Sequence, residues 1–296
     1  NIFKNGKCKN KFYKINQKDE AKKISEFVNK IKGRVMSFRL VEEFKNERQK
    51  SLESYSSDKE FKALSQDWLQ FSMRRKYVYN FDWLGRPIIQ YPQDVFGLQE
   101  LIWKLKPDLI IETGIAHGGS LVFSASMLAL LDMSDAIENS STINPSESKR
   151  SVLGIDIDIR EHNKVEIEAH PMASRIQMIQ GSSIDLSVID QVKDIAEKYE
   201  RVLVCLDSNH TYDHVLAELD AYASLVSVGS YCVVFDTFVE DMPSDMFPDR
   251  PWGPDNSPKK AVWEYLKAHP EFDIDKDMQN KLLITVAPDG YLKRIS

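Results

Sequence analysis

Leu109-Ile110-Ile111-Glu112-Thr113-Gly114-Ile115-Ala116-His117-Gly118-Gly119-Ser120 is the stretch that decides the fold. A short apolar run leads into a glycine-containing loop, and an apolar helical segment, Leu121 to Leu131, follows. That order reads as strand, turn, helix. A strand apolar at every position has to be covered on both faces, as in a parallel sheet. The same kind of run recurs at Val152 to Ile155, Ile176 to Ile179, Val202 to Leu206 and Tyr231 to Phe235. Between the last two, Val215, Leu219, Tyr222 and Val226 fall on one face of a helix. Strand alternating with helix means right-handed parallel crossovers. The predicted class is therefore α/β, a doubly wound, mostly parallel sheet.

Outward from this core the pattern changes. Residues 1–95 read as a helical N-terminal extension ending in a loop, and residues 96–296 as the α/β domain. Ile24, Phe27, Val28 and Ile31 recur at helical spacing, as do Phe61, Leu64, Trp68 and Phe71. Tyr79 to Pro87 is an aromatic loop with turn punctuation. A helix is expected from a cap at Asp94 to Lys106, stopped by Pro107. Asp132 to Arg150, polar and rich in Ser and Asn, is expected to be a mobile surface loop. Lys281 to Val286 and Gly290 to Leu292, joined through Pro288-Asp289, suggest a terminal hairpin.

Composition narrows the classes. The chain has 296 residues, 42% hydrophobic and 28% charged, with net charge −6. A general nucleic-acid binder needs a basic face, so no nucleic-acid partner is expected. The early lysines, Lys4 to Lys18, read as a solvated terminus. No run of 18 apolar residues predicts a membrane span. Cys8, Cys205 and Cys232 form no CxxC pair, and the latter two sit in apolar strands, so reduced thiols and a cytoplasmic setting are expected.

In an open α/β sheet ligands sit beyond the carboxyl ends of the strands. After the first strand come Glu112, Gly114, His117, Gly118, Gly119 and Ser120. The glycines allow close backbone approach, and a helix N-terminus follows. The spacing is neither that of a dinucleotide fingerprint nor that of a phosphate loop. After the second strand, Asp156, with Asp158 beyond it, is placed to accept hydrogen bonds from ribose hydroxyls. Ser182, Ser183 and Asp185 follow the third strand, where an adenine edge would lie; they are also ordinary turn residues. After the fourth strand stand Asp207 and His210. A carboxylate and an imidazole there can hold a metal, or the imidazole can deprotonate a hydroxyl. Asp207 and Thr211 could equally cap the next helix. His214, one turn on, reads as a structural histidine. Asp236 ends the fifth strand beside Asp207, and two carboxylates at adjacent strand ends suit a hard divalent cation such as magnesium.

These residues, in this order, resemble the cephalosporin hydroxylase-type family, which has a Rossmann-like class I methyltransferase fold. The matching stretches are Ile110 to Gly114 with Gly118 to Ser120, Leu153 to Asp158, Leu206 to His210, Gly229 to Tyr231, and Asp236-Thr237. They span about residues 80–296. The family includes sugar O-methyltransferases that use S-adenosylmethionine and often a divalent metal. The resemblance implies that Glu112, Gly114 and Gly118 to Ser120 hold the cofactor's methionine end and Asp156 its ribose. Asp207 and Asp236 would match two metal ligands. Metal-binding members typically carry an acidic residue where this chain has Phe235, so Glu240, Asp241 or a substrate oxygen would have to complete a metal site.

The leading expectation is an S-adenosylmethionine-dependent O-methyltransferase acting on a sugar hydroxyl of a surface glycan, glycolipid or natural product. His210 would be its base, beside Asp207, and self-association is left open. One alternative is a metal-dependent oxygenase built on His210, His214 and Asp207. Another is a non-catalytic adenosyl-binding module.

Overall fold

The computed structural model describes Lys22, Lys23, Lys30, residues 40–145 and residues 147–296. The lysine cluster of residues 4–18, Cys8, and the periodic Ile24, Phe27, Val28 and Ile31 lie outside the described residues. The chain divides into two compact units, Asn1–Ser57 and Asp58–Ser296. In the first, residues 40–57 are helical.

The second unit opens with helix α1, Lys59–Met73, capped by the Asp58 carboxylate on the Phe61 amide at 2.9 Å. The helix expected from the spacing of Phe61, Leu64, Trp68 and Phe71 is present, and of these Trp68 packs edge-on to Tyr77 and Tyr91. Leu64 and Phe71 are exposed, whereas Ser65, Leu69 and Ser72 are buried. Buried polar contact decides the orientation, because the Ser72 hydroxyl bonds the fully buried Tyr91 hydroxyl at 2.6 Å. The aromatic loop is a hairpin of β1, Asp82–Trp83, and β2, Arg86–Pro87. Its turn residues Leu84 and Gly85 both have positive φ, 47° and 87°, as a tight right-twisted hairpin requires.

Helix α2 is Pro92–Leu105, with proline at its start. Asp94 is therefore not its cap. Its buried carboxylate instead receives the Val286 amide at 3.0 Å, the Tyr291 hydroxyl at 3.2 Å and the Thr285 hydroxyl, tying the C-terminal loop to this helix.

Five parallel strands follow: β3, Leu109–Thr113; β4, Ser151–Asp156; β5, Ile176–Gln180; β6, Val202–Leu206; and β7, Tyr231–Val234. Two antiparallel strands, β8, Phe272–Ile274, and β9, Tyr291–Arg294, complete a seven-stranded sheet in the order β5-β4-β3-β6-β7-β9-β8. The terminal hairpin is thus formed by β8 and β9. The stretch read as its first arm, Lys281 to Val286, is no strand: it is the last two residues of helix α8, Lys276–Leu282, followed by irregular backbone. The expected α/β, doubly wound class is the one observed. The order reverses between β3 and β6, which opens a crevice beyond their carboxyl ends.

Helices α3, Gly119–Glu138; α4, Glu161–Glu168; α5, Leu186–Ala196; α6, Tyr212–Tyr222; and α7, Pro258–Ala268, cover the sheet. By length and composition α3 could cross a bilayer, at mean hydropathy 1.4 over 18 residues. It is the first crossover, however, buried continuously from Leu121 to Leu128.

Residues 132–150 do not form the expected loop throughout. Helix α3 continues to Glu138, and Asp132 accepts from both Arg150 and Arg175. Arg150 also reaches Asp135 at 2.6 Å, and Ser148 bonds Asp132 at 2.7 Å. The polar residues at the two ends of the segment form a charge network, while residues 139–145 are exposed and irregular, as a surface loop is.

Candidate active site

The carboxyl ends of β3, β4, β6 and β7 open on a cleft of about 850 Å³. Its first wall is the loop after β3. Gly114 has φ 88°, and a Cβ there would lie 2.1 Å from the Asp207 carbonyl oxygen. Only glycine lets the first loop and the end of β6 come this close. Gly119 begins α3 with the Pro87 carbonyl of the hairpin 2.2 Å from where a Cβ would stand. The hairpin is clamped in turn by Trp83, whose indole N–H donates to Ser126 at 3.0 Å and whose ring packs edge-on to Phe123.

Two braces hold the loop. Arg86 donates to the His117 carbonyl from Nε at 3.0 Å and from a terminal nitrogen at 2.6 Å. The Asn163 amide donates to the Ala116 carbonyl at 2.9 Å. From the second strand end, Asp156 accepts the Ile115 and Ala116 amides at 2.8 and 3.3 Å, and the Asp158 amide at 2.9 Å. Oδ2 takes both loop amides, so Oδ1, which accepts only the Asp158 amide, is the oxygen with a lone pair left for a further donor.

Of the residues expected to meet a cofactor, Gly114, His117, Gly119, Ser120 and Asp156 line this cleft. Glu112 does not. It is 3% exposed and receives the Ser120 hydroxyl, so it acts on the cleft through Ser120. Burial raises its carboxyl to about 7 against that hydrogen bond. Gly118 caps α3 behind the loop, and the exposed Asp158 pairs with Arg160 at 3.9 Å. Ser182, Ser183 and Asp185 do not line the cleft either. Asp185 stands at the N-cap of α5, and Ser183 is buried with its hydroxyl 3.0 Å from His214.

At the floor, Asp207, His210 and Asp236 present ligand atoms all within 4.8 Å of one another. His210 Nε2 lies 3.0 Å from Asp236 Oδ2, and its ring packs edge-on to Trp252 at 4.8 Å. Asp236 holds a left-handed backbone, φ 54°, a conformation that Asp tolerates better than most residues. Burial pushes the Asp207 carboxyl well above its ordinary value, and the negative charge of Asp236 adds to this. The Gln90 amide donates to Asp207 at 3.1 Å.

Glu240 and Asp241 do not complete the cluster. Glu240 accepts the Ser257 hydroxyl at 2.6 Å and the Asp255 amide at 3.1 Å, and Asp241 pairs with Lys259. Phe235 is buried, 5% exposed. His214 turns away, toward Ser183, Ser208 and the fully buried Glu218, so it cannot join His210 and Asp207 in a two-histidine iron site.

Arg86, Asn163 and Gln90 were not legible from the sequence. Asn163 lies buried in a short polar helix, and its burial shows only in the folded structure.

A glycine-walled pocket at the switch point of this sheet, with a carboxylate at the next strand end and an acid–imidazole floor, is the arrangement of a class I methyltransferase fold. The family described as Rhamnosyl O-methyltransferase/CmcI matches residues 75–295, and the chain belongs to it. It is an S-adenosylmethionine-dependent O-methyltransferase. It is 29% identical over 206 residues to a rhamnosyl O-methyltransferase of Mycobacterium tuberculosis, covering 68% of this chain and 73% of that one. A rhamnosyl O-methyltransferase of Mycobacterium leprae is 25% identical over 214 residues, covering 72% and 82%. A solved structure described as "cmcI-D160 Mg-SAM" superposes with TM-score 0.49 at 17% identity, over 74% of this chain and 78% of that one.

Proposed function

We propose that this enzyme methylates a hydroxyl of a sugar in a surface glycan, glycolipid or natural product, with His210 taking the hydroxyl proton. The observation that carries the reading is the convergence of Asp207, His210 and Asp236 on the cleft that Asp156 and the glycine loop wall. The relatives' description as rhamnosyl O-methyltransferases supports a sugar acceptor.

S-adenosylmethionine supplies an electrophilic methyl whose bonding pair leaves with sulfur. The protein's part is to place the acceptor oxygen in line with it and remove the proton. With Nε2–H given to Asp236, the His210 ring carries its free lone pair on Nδ1, and Asp236 stabilises the imidazolium that forms. Asp207 and Asp236 fit a divalent cation by charge: two carboxylates this close, one held above its ordinary value, are relieved by a cation or a proton. They would hold it, and it would lower the acceptor hydroxyl's pKa. With Phe235 buried, the protein offers two carboxylates and an imidazole rather than three carboxylates. That donor set favours His210 over a metal as the main route for the proton. A cytoplasmic setting belongs to the same reading and is supported by the free, buried thiols Cys205 and Cys232.

The test is transfer from methyl-labelled S-adenosylmethionine to a panel of hexosides and deoxyhexosides. His210→Ala is expected to cut turnover by roughly 10²–10⁴-fold while cofactor affinity is retained. Turnover in excess chelator is expected to persist. Label arriving on nitrogen, or full turnover by His210→Ala, would overturn the assignment.

A further inference from the structure

Charge is segregated within the cleft. The carboxylates Asp156, Asp207 and Asp236 lie at the strand ends, while Arg74, Lys76 and Arg250 stand on the walls formed by the segment after α1 and the loop after β7. Arg74 is compensated by Asp245 at 3.1 Å. Lys76 and Arg250 have no carboxylate partner among the described residues. Arg250 is instead positioned by stacking, its guanidinium 5.1 Å from the Trp252 ring centre, and Trp252 packs on His210. One indole therefore separates the free guanidinium from the imidazole.

S-adenosylmethionine carries a sulfonium, an ammonium and a carboxylate, a net single positive charge that matches the acidic floor. It leaves the two cations of the walls unmatched, in a protein whose net charge is −6. From this we infer that the acceptor is anionic: its sugar carries a phosphate or carboxylate group that seats against Lys76 and Arg250 while its hydroxyl meets His210. Arginine stacked on an aromatic ring keeps its donor edge free for such an oxyanion. The inference rests on the methyl-transfer reading above and narrows its substrate class.

The test is calorimetric titration of the protein saturated with S-adenosylhomocysteine. The probes are a hexose 1-phosphate, a nucleoside-diphosphate hexose, a methyl hexuronide and a neutral methyl hexoside. At least one charged probe is expected to bind about 10-fold or more tighter than the neutral one, and less tightly as salt rises. Whether phosphate or carboxylate leads identifies the group. Lys76→Gln and Arg250→Gln should each weaken that probe by about 3- to 10-fold, with S-adenosylhomocysteine affinity unchanged. Equal binding of neutral and charged probes, or unchanged affinity in both variants, would overturn the proposal while leaving methyl transfer to a neutral sugar intact. Failure of S-adenosylhomocysteine itself to bind would remove the methyl-transfer reading, and the proposal with it.

Discussion

The same α/β domain carries two clusters of acidic side chains, at opposite ends of its sheet. At the amino ends of β4 and β5, Asp132 and Asp135 are answered by Arg150, Arg175 and Lys106. At the carboxyl ends, Asp207 and Asp236 share one imidazole and one amide donor. In the first cluster every carboxylate is answered by a guanidinium or ammonium of its own chain, and only the buried Arg150 Nε lacks a partner among the described residues. The second is under-compensated: Asp207 is pushed up by burial and by its neighbour, and the buried Gln90 Oε1 has no partner among the described residues. Charges satisfied internally hold a fold, whereas charges left short of partners mark where a ligand completes the balance.

The sharpest way to break this comparison is to uncouple the closed cluster. Asp132→Ala takes from the nearly buried Arg175 its one carboxylate among the described residues and from Arg150 one of two, and is expected to destabilise the protein by about 3–5 kcal/mol. Chemical denaturation of the variant measures it. A loss under about 1 kcal/mol would mean that residues 132–150 behave as the free loop that their composition suggests.

Glu112→Gln gives the next largest effect and carries a sign. The Glu112 carboxyl sits at about 7 when folded, above its ordinary 4.5, so the folded protein binds the extra proton. Its stabilisation is fully present below about pH 4.5 and is lost as pH rises through about 7. Above pH 7 the ionised carboxylate costs about 3 kcal/mol, which the amide avoids. The variant should therefore melt higher than the wild type at pH 8 and show a flatter pH profile between 5 and 8. Identical profiles would deny that burial governs this group.

How much of this was legible follows the same division. The central strands β3, β4, β6 and β7 are largely apolar, buried runs, and the order of the polar residues at their ends suffices to place Asp156, Asp207, His210 and Asp236 at one edge. What escaped detection depends on contacts between distant residues. Arg86 meets His117, Asn163 meets Ala116, and Arg150 meets Asp132, and none of these pairs has a periodicity or spacing of its own. Which face of α1 is buried was not legible for a related reason. A serine bonded to a buried tyrosine outweighs an aromatic stripe, and only the packed structure reveals that partner.

Asp156→Ala has the smallest expected effect and is directed at the open end. Loss of the carboxylate should weaken S-adenosylmethionine binding by about 1.5–3 kcal/mol through lost ribose contacts and a loosened loop. Unchanged affinity would leave Asp156 as a brace for the Ile115 amide alone.

The central claim, that the under-compensated end of the sheet is a cofactor site, is tested most directly by calorimetric titration of S-adenosylmethionine into the wild-type protein, with NAD as the competing nucleotide. The account predicts one molecule bound per chain with micromolar-range affinity, roughly 8 kcal/mol, and no comparable binding of NAD. Preference for NAD, or no binding of S-adenosylmethionine, would contradict it.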